Sequence, residues 1–191
     1  NIDSFAMTVT GSFSLWGLQL QPKSLTFEYS TQDDQFIMYG GLTGSVPNGD
    51  SDSQLALSFG LKANPGVIVN TTSGVAEQVD IGVSGVIDMF GFKLTSPSNN
   101  PVMFQYRAAD DLYELSGEVS APQLWNTTVI MGSASQPGVK IEVGKWSIDD
   151  LIVGFGNITI GSFGVRSLSA SYTQYSALTA TGDLTIGSRT M

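Results

Sequence analysis

Two stretches decide the fold when read side by side: FAMTVTGSFSLWGLQL, Phe5 to Leu20, and VDIGVSGVIDMFGFKL, Val79 to Leu94. Laid over one another without a gap, at an offset of 74, Phe5, Met7, Val9, Phe13, Leu15, Trp16, Leu18 and Leu20 fall on Val79, Ile81, Val83, Ile87, Met89, Phe90, Phe92 and Leu94. Gly11 falls on Gly85 and Gly17 on Gly91. In both stretches apolar and polar residues alternate, the period of a strand that turns one face to a core. The alternation changes phase at the aromatic-Gly pair, from odd positions Phe13 and Leu15 to even positions Leu18 and Leu20. One extra residue in a continuous strand makes that change, and Gly suits the dihedral angles it needs. The sequence therefore predicts β-bulges at Gly17 and Gly91, with Trp16 and Phe90 covering the bends.

A second matching block follows each of these: LTFEYSTQDDQFIMYGGLTGSV from Leu25 and VMFQYRAADDLYELSGEVSAPQ from Val102. Phe27 matches Phe104, Tyr29 matches Tyr106, Asp33 and Asp34 match Asp110 and Asp111, and Phe36 matches Tyr113. A more eroded copy begins at Ser147, with Tyr172 and Gly182 in the places of Tyr29 and Gly41. NPGVIV at Asn64 and QPGVKIEV at Gln136 mark equivalent joints, each Pro-Gly punctuating a turn before a strand. The chain divides accordingly into units of about 70 residues, 1–64, 65–136 and a partial 137–191, sharing one continuous core.

Thr, Val, Phe and Tyr are abundant, and no stretch holds a 3.6-residue period long enough for a helix. Two alternating arms flank STQDD and again RAADD, the pattern of hairpins whose polar loops end on Asp. The expected class is all-β, built from antiparallel hairpin-rich repeats. An apolar sheet face has to be covered, which an elongated β-sandwich or a prism-like, solenoid-like stack achieves.

Composition narrows the function. The 191 residues carry 8 Lys plus Arg against 17 Asp plus Glu, a formal net charge of −9, with no basic run, which argues against nucleic acid. There is neither Cys nor His, so thiolate nucleophiles, the usual zinc ligand sets and every His-based triad are excluded. No apolar run approaches the roughly 18 residues of a membrane helix. A start at Asn1 without a signal-like segment reads as a mature product or an excised fragment. An outer-membrane barrel fits poorly, because the strand lengths are uneven and small or polar residues occupy many outer positions.

The order GSFSLWGLQL, then LTFEYSTQDDQFIMYGGLTGSV, then LALSFG and NPGVIV resembles the tandem units of very large, Gly- and Thr-rich bacterial surface or secreted proteins. The resemblance covers essentially the whole chain and concerns strands and turns. It implies a structural or adhesive role and brings no catalytic residues with it. The eroded third unit and the regular Asp-Asp pairs depart from the pattern.

Candidate sites remain few. Asp33, Asp34, Asp110 and Asp111, with Asp149, Asp150 and the NGDSDS stretch from Asn48, supply oxygens of the kind that bind Ca²⁺, the one cofactor to consider. None of these segments has EF-hand or nonapeptide spacing, and Asp also builds turns for its own sake. Glu114 and Glu118 beside Asp110 and Asp111 suggest a glycosidase pair, yet Glu114 matches Ile37 in the other copy, so the chain reads as no enzyme. Asn70, Asn126 and Asn157 head acceptor sequons for glycosylation. Trp16, Trp125 and Trp146 with Tyr29, Tyr106 and Tyr172 are the aromatic residues a sugar platform needs; the Tyr set reads as cross-strand packing, leaving Trp125 as the ligand candidate. The expectation is a noncatalytic extracellular or cell-surface structural protein, a segment of a filament, sheath or adhesin, whose partners are copies of itself or neighbouring repeats. A carbohydrate-binding module, and a β groove that carries lipid, are the alternatives.

Overall fold

A computed structural model describes residues 3–15, 18–45, 54–89, 92–142, 145–156, 158–160, 163–173, 176–186 and 189–190. The strands in chain order begin with β1 (Ser4–Thr8), β2 (Phe13–Leu15), β3 (Leu18–Ser30), β4 (Gln35–Ser45), β5 (Gln54–Ser58), β6 (Gly60–Leu61), β7 (Asn64–Pro65) and β8 (Val67–Asn70). Next come β9 (Ala76–Met89), β10 (Phe92–Ser96), β11 (Val102–Arg107), β12 (Leu112–Ser116), β13 (Glu118–Ala121), β14 (Thr127–Ile130), β15 (Gly132–Ser133), β16 (Gln136–Pro137) and β17 (Val139–Glu142). The last are β18 (Lys145–Ile148), β19 (Asp150–Gly154), β20 (Ile158–Ile160), β21 (Phe163–Thr173), β22 (Ser176–Ile186) and β23 (Arg189–Thr190). The described residues contain no helix, and so none long and apolar enough to cross a membrane.

Nineteen strands belong to one sheet, and β6–β7 and β15–β16 form separate two-stranded ribbons. The sheet has two adjoining tracks that share the long strands β3, β4 and β9. One track runs β1, β3, β4, β8, β9, β11, β12, β17, β18, with every pair antiparallel. The other runs β2, β3, β4, β5, β9, β10, β13, β14, β19, β21, β22. The hairpins expected around the Asp pairs are present: Ser30 opposes Gln35 and Arg107 opposes Leu112, each closing a four-residue loop. Asn64–Pro65 and Gln136–Pro137 are the return arms of the two ribbons, each followed by Gly and then by β8 or β17. The expected unit boundaries at residues 64 and 136 fall inside these ribbons.

The phase change between Leu15 and Leu18, and between Met89 and Phe92, has a different cause from the expected bulge. Leu15 opposes Leu18 and Phe13 opposes Leu20 across two antiparallel strands, and Met89 opposes Phe92 in the same way. A two-residue connection takes the chain from position i to i+3, so residues on one face switch from odd to even numbers without any bulge. Trp16, Gly17, Phe90 and Gly91 themselves lie outside the described residues.

The bulges sit at mid-strand instead. Between the pairs Lys23–Gly41 and Thr26–Tyr39, Ser24 and Leu25 face Gly40 alone. Ser24 and Gly40 both take positive φ, 54° and 102°. Ser167 and Leu168 face Gly182 in the same way, with Ser167 at φ 50°. Gly182 thus stands where Gly40 stands, one residue from the position that the sequence alignment assigns it.

Burial is thin. Among the described residues the buried apolar side chains are Leu20, Leu25, Phe59 and Ala121, and most strand residues are only half-buried. The accessible surface is 11979 Å², whereas a compact monomer of this mass exposes about 8,750 Å². Spread as a sheet, the chain keeps about 3,200 Å² more surface than that.

Candidate functional site

Directly opposed residues in a ladder lie on the same sheet face, so the register gives the composition of each face. Met7 opposes Phe27, and the line continues through Met38, Val67, Val79, Tyr106, Tyr113 and Ile141, with Trp146 at the register position beyond. That is one unbroken apolar row across nine strands. Two shorter rows flank it: Phe5, Tyr29, Phe36, Val69 and Ala76 on one side, Ile81, Phe104, Leu115, Val139 and Ile148 on the other. Cross-strand ring pairs stiffen this surface. Tyr106 and Tyr113 have centroids 4.6 Å apart, Phe5 and Tyr29 5.7 Å, and Phe27 and Phe36 5.9 Å.

The opposite face of the same strands carries the charge. Asp80 accepts from Arg107 through both oxygens, at 2.6 and 3.0 Å, and from Gln78 and Gln105 at 2.9 and 3.3 Å. Lys140 bridges Glu114 at 3.8 Å and Asp149 at 3.3 Å. Glu77 accepts from Gln35 and Asn70 at 3.1 and 3.2 Å. The β6–β7 ribbon lies on this polar side, where Lys62 donates to Glu28 at 2.8 Å and the Gln78 amide reaches the Pro65 carbonyl at 3.1 Å. The Glu28 carboxylate accordingly raises the Lys62 pKa above its ordinary value. No charged residue appears in the three apolar rows, which remain open: Met7 is 54% exposed and Ile141 48%.

The edge at β1 is open as well. Thr31 N–H donates to the Asp3 carbonyl and Val9 N–H to the Leu25 carbonyl, so the odd residues of this segment bond to β3. By antiparallel alternation the main-chain groups of Ser4, Ala6 and Thr8 point away from the sheet. Among the described residues β1 pairs with β3 alone.

The Ca²⁺ candidates Asp33, Asp34, Asp110 and Asp111 lie in the two hairpin loops. Asp34 and Asp111 close the two four-residue turns at φ 51° and 45°, a conformation that Asp tolerates better than most side chains. Ser30 Oγ donates to Asp33 at 2.8 Å and accepts from the Asp33 N–H at 3.2 Å, fastening the first loop. The described residues contain no group of three or more His, Cys, Asp or Glu able to hold a metal ion. The NGDSDS stretch, Asn48 to Ser53, lies outside them. Glu114 is bridged by Lys140, and the groove of 610 Å³ beside it is lined by Asp110, Glu142, Lys145 and Asp149 among others.

The three sequons differ in setting. The Asn70 carboxamide builds the turn after β8, its oxygen accepting from the N–H groups of Thr72 and Ser73 at 3.1 and 2.9 Å. Asn126 is exposed on the loop between β13 and β14, and Asn157 lies outside the described residues. Trp125, on the same loop as Asn126, is 62% exposed, and both residues take positive φ, 52° and 50°. The Trp125 carbonyl accepts from Gly156 N–H at 2.7 Å, which pins that conformation. Of the Tyr set, Tyr29 and Tyr106 pack on cross-strand rings, and Tyr172 opposes Leu151. Burial against neighbouring strands raises the Tyr106 pKa, with Tyr113 and Asp111 adding to the effect. Trp146 is placed by register only.

The sequence reading did not foresee the continuous row through all nine strands or the outward-facing backbone of β1. The signal for the first was present in the odd-numbered apolar residues of each block. The strand order that aligns them across the sheet was not. Comparison with protein families, curated proteins and solved structures finds no match to this chain.

Proposed function

We propose that this chain is a noncatalytic structural protein of the cell exterior, a segment of a filament, sheath or adhesin that joins copies of itself or neighbouring repeats through open sheet edges. The observation that carries the reading is the β1 edge, where, among the described residues, the outward main-chain groups of Ser4, Ala6 and Thr8 meet no second strand. Edges of soluble sheets are commonly blunted by charge, Pro or a bulge, because an open edge recruits other strands. The SFAMT sequence of β1 has neither charge nor Pro. The repeat reading draws support from the matching registers, in which Phe5 opposes Tyr29 as Val79 opposes Tyr106, and from the twin bulges at Gly40 and Gly182. The three sequons and the absence of Cys and His are compatible with an exported, non-enzymatic chain.

Electron microscopy of the purified protein tests this directly. Ordered polymers are expected from the native chain and none from Ala6→Pro. That substitution removes an outward N–H while leaving the β3 ladder intact. Dispersed native particles at all concentrations, or polymers undiminished by Ala6→Pro, overturn the reading. A second reading, a carbohydrate-binding module, is favoured by one observation: Trp125 stands exposed on a conformationally fixed loop. Glycan-array binding lost in Trp125→Ala, with no polymers from the native chain, would install it instead.

A further inference from the structure

We propose that the apolar face of this sheet is an interface with the same face of a second copy of the chain. This goes beyond edge assembly. It concerns a different surface and adds a second layer rather than length.

With strands ~4.8 Å apart and same-face residues ~6.7 Å apart along each strand, one position covers ~32 Å². The long row crosses nine strands and each shorter row five, so the face offers ~610 Å² per copy and ~1,200 Å² in total, at the lower end of the range of a standard stable interface. A sheet with one apolar face is stable in water when a second layer lies ~10 Å above it.

The chain bears a net charge of −9, yet Asp80, Arg107, Glu114, Lys140 and Glu142 lie on the polar face and none of the three apolar rows contains a charge. Two copies meeting through these rows keep their charged faces outward in water and desolvate no ion.

The size of a depression on this face separates a protein layer from a small apolar ligand. The depression, lined by Phe104, Tyr113, Leu115, Val139 and Ile141 with Glu114 of the same strand as Tyr113, measures 150 Å³. Sites that enclose small molecules run to about 300–1,000 Å³. A depression this small takes a single side chain projecting from an opposing sheet, and Phe27 and Met38 are of the right kind and lie on the same face.

The test is sedimentation of the 191-residue chain carrying Ala6→Pro, so that edge growth does not mask pairing. The expected species at micromolar concentration is a dimer of twice the 20.2 kDa chain mass. In that background Ile141→Lys, on the apolar face, should weaken the dimer at least tenfold. Glu142→Gln, on the adjacent residue and the opposite face, raises net charge by the same one unit and should leave it unchanged. Should Ile141→Lys lose its strand circular dichroism, dilution of the parent chain still decides, since a dimer must dissociate reversibly to monomer. Monomers throughout the micromolar range overturn the proposal, as do copurified lipid on a monomer in native mass spectrometry or equal loss in the two variants. Loss of polymers in Ala6→Pro with the dimer retained separates this interface from the edge.

Discussion

The sharpest test of the fold is Gly40→Ala set against Gly74→Ala. Both glycines take positive φ, 102° and 69°, but their surroundings differ. A Cβ at Gly74 meets nothing within 4 Å, whereas one at Gly40 sits 2.2 Å from the Ser24 carbonyl oxygen and 2.9 Å from Leu25 Cα. Gly74→Ala therefore costs only the left-handed backbone term, ~1–2 kcal/mol. Gly40→Ala carries that term and also has to move the backbone by about 0.8 Å to reach an acceptable 3.0 Å contact. The bulge that must move includes the Val9–Leu25 hydrogen bond and the Phe59–Gly40 bond, both 2.8 Å. Weakening two such bonds adds ~2 kcal/mol, for a total of ~3–4 kcal/mol against a typical domain stability of 5–15 kcal/mol. Urea denaturation followed by far-UV circular dichroism reads the difference as a shift in midpoint at constant slope. Equal losses in the two variants, or a loss below ~1 kcal/mol at Gly40, would refute the argument that the mid-strand bulge depends on a bare backbone there.

Three further outcomes follow from local geometry. Asp34→Gly should leave stability within ~0.5 kcal/mol of the parent, because Gly adopts positive φ at no steric cost, whereas Asp34→Val should lose ~1–2 kcal/mol; a Ca²⁺-dependent rise in Tm that disappears in Asp34→Gly would show the carboxylate to be a ligand after all. Trp125→Gly should raise Tm by a few degrees, since relieving a positive φ at an exposed residue is worth ~1 kcal/mol, and a lowered Tm would mean that the ring packs in solution. The Tyr106 phenol should titrate above the ordinary value of about 10, and Tyr113→Phe should bring its NMR titration midpoint down by removing a neighbouring charge and a hydrogen bond. The folded-state value is the raised one, so this group's stabilising contribution is complete below the unfolded value and is lost as pH rises through the folded one. A midpoint unmoved by Tyr113→Phe would exclude that coupling.

Much of this architecture was legible in the residues. Alternation in FAMTVTGSFSL and in VDIGVSGVIDM specifies strands, and the Asp pairs mark the two hairpins, because loop closure at positive φ selects a short polar side chain. A bulge and a two-residue turn both shift the alternation by one, and local sequence does not distinguish a strand that continues from one that reverses. The bulge at Gly40 was missed for the complementary reason: its cause is the Ser24 carbonyl, sixteen positions earlier in the chain and across the ladder. Trp125 was identified as an aromatic without a counterpart, while its exposure and fixed backbone depend on Gly156, which reaches it from beyond β19.

By itself, then, the sequence determined the β class, the hairpins, the two-faced character of each strand and the exclusion of thiol and imidazole chemistry, because these follow from residue type and nearest-neighbour spacing. Only the tertiary structure decided which strands lie side by side. That pairing aligns Met7, Phe27, Met38, Val67, Val79, Tyr106, Tyr113 and Ile141 into one row, turns the charges to the other face and leaves the backbone of Ser4, Ala6 and Thr8 at an open edge. Register is a relation between distant segments, so the surfaces this protein offers to a partner arise only when the sheet forms.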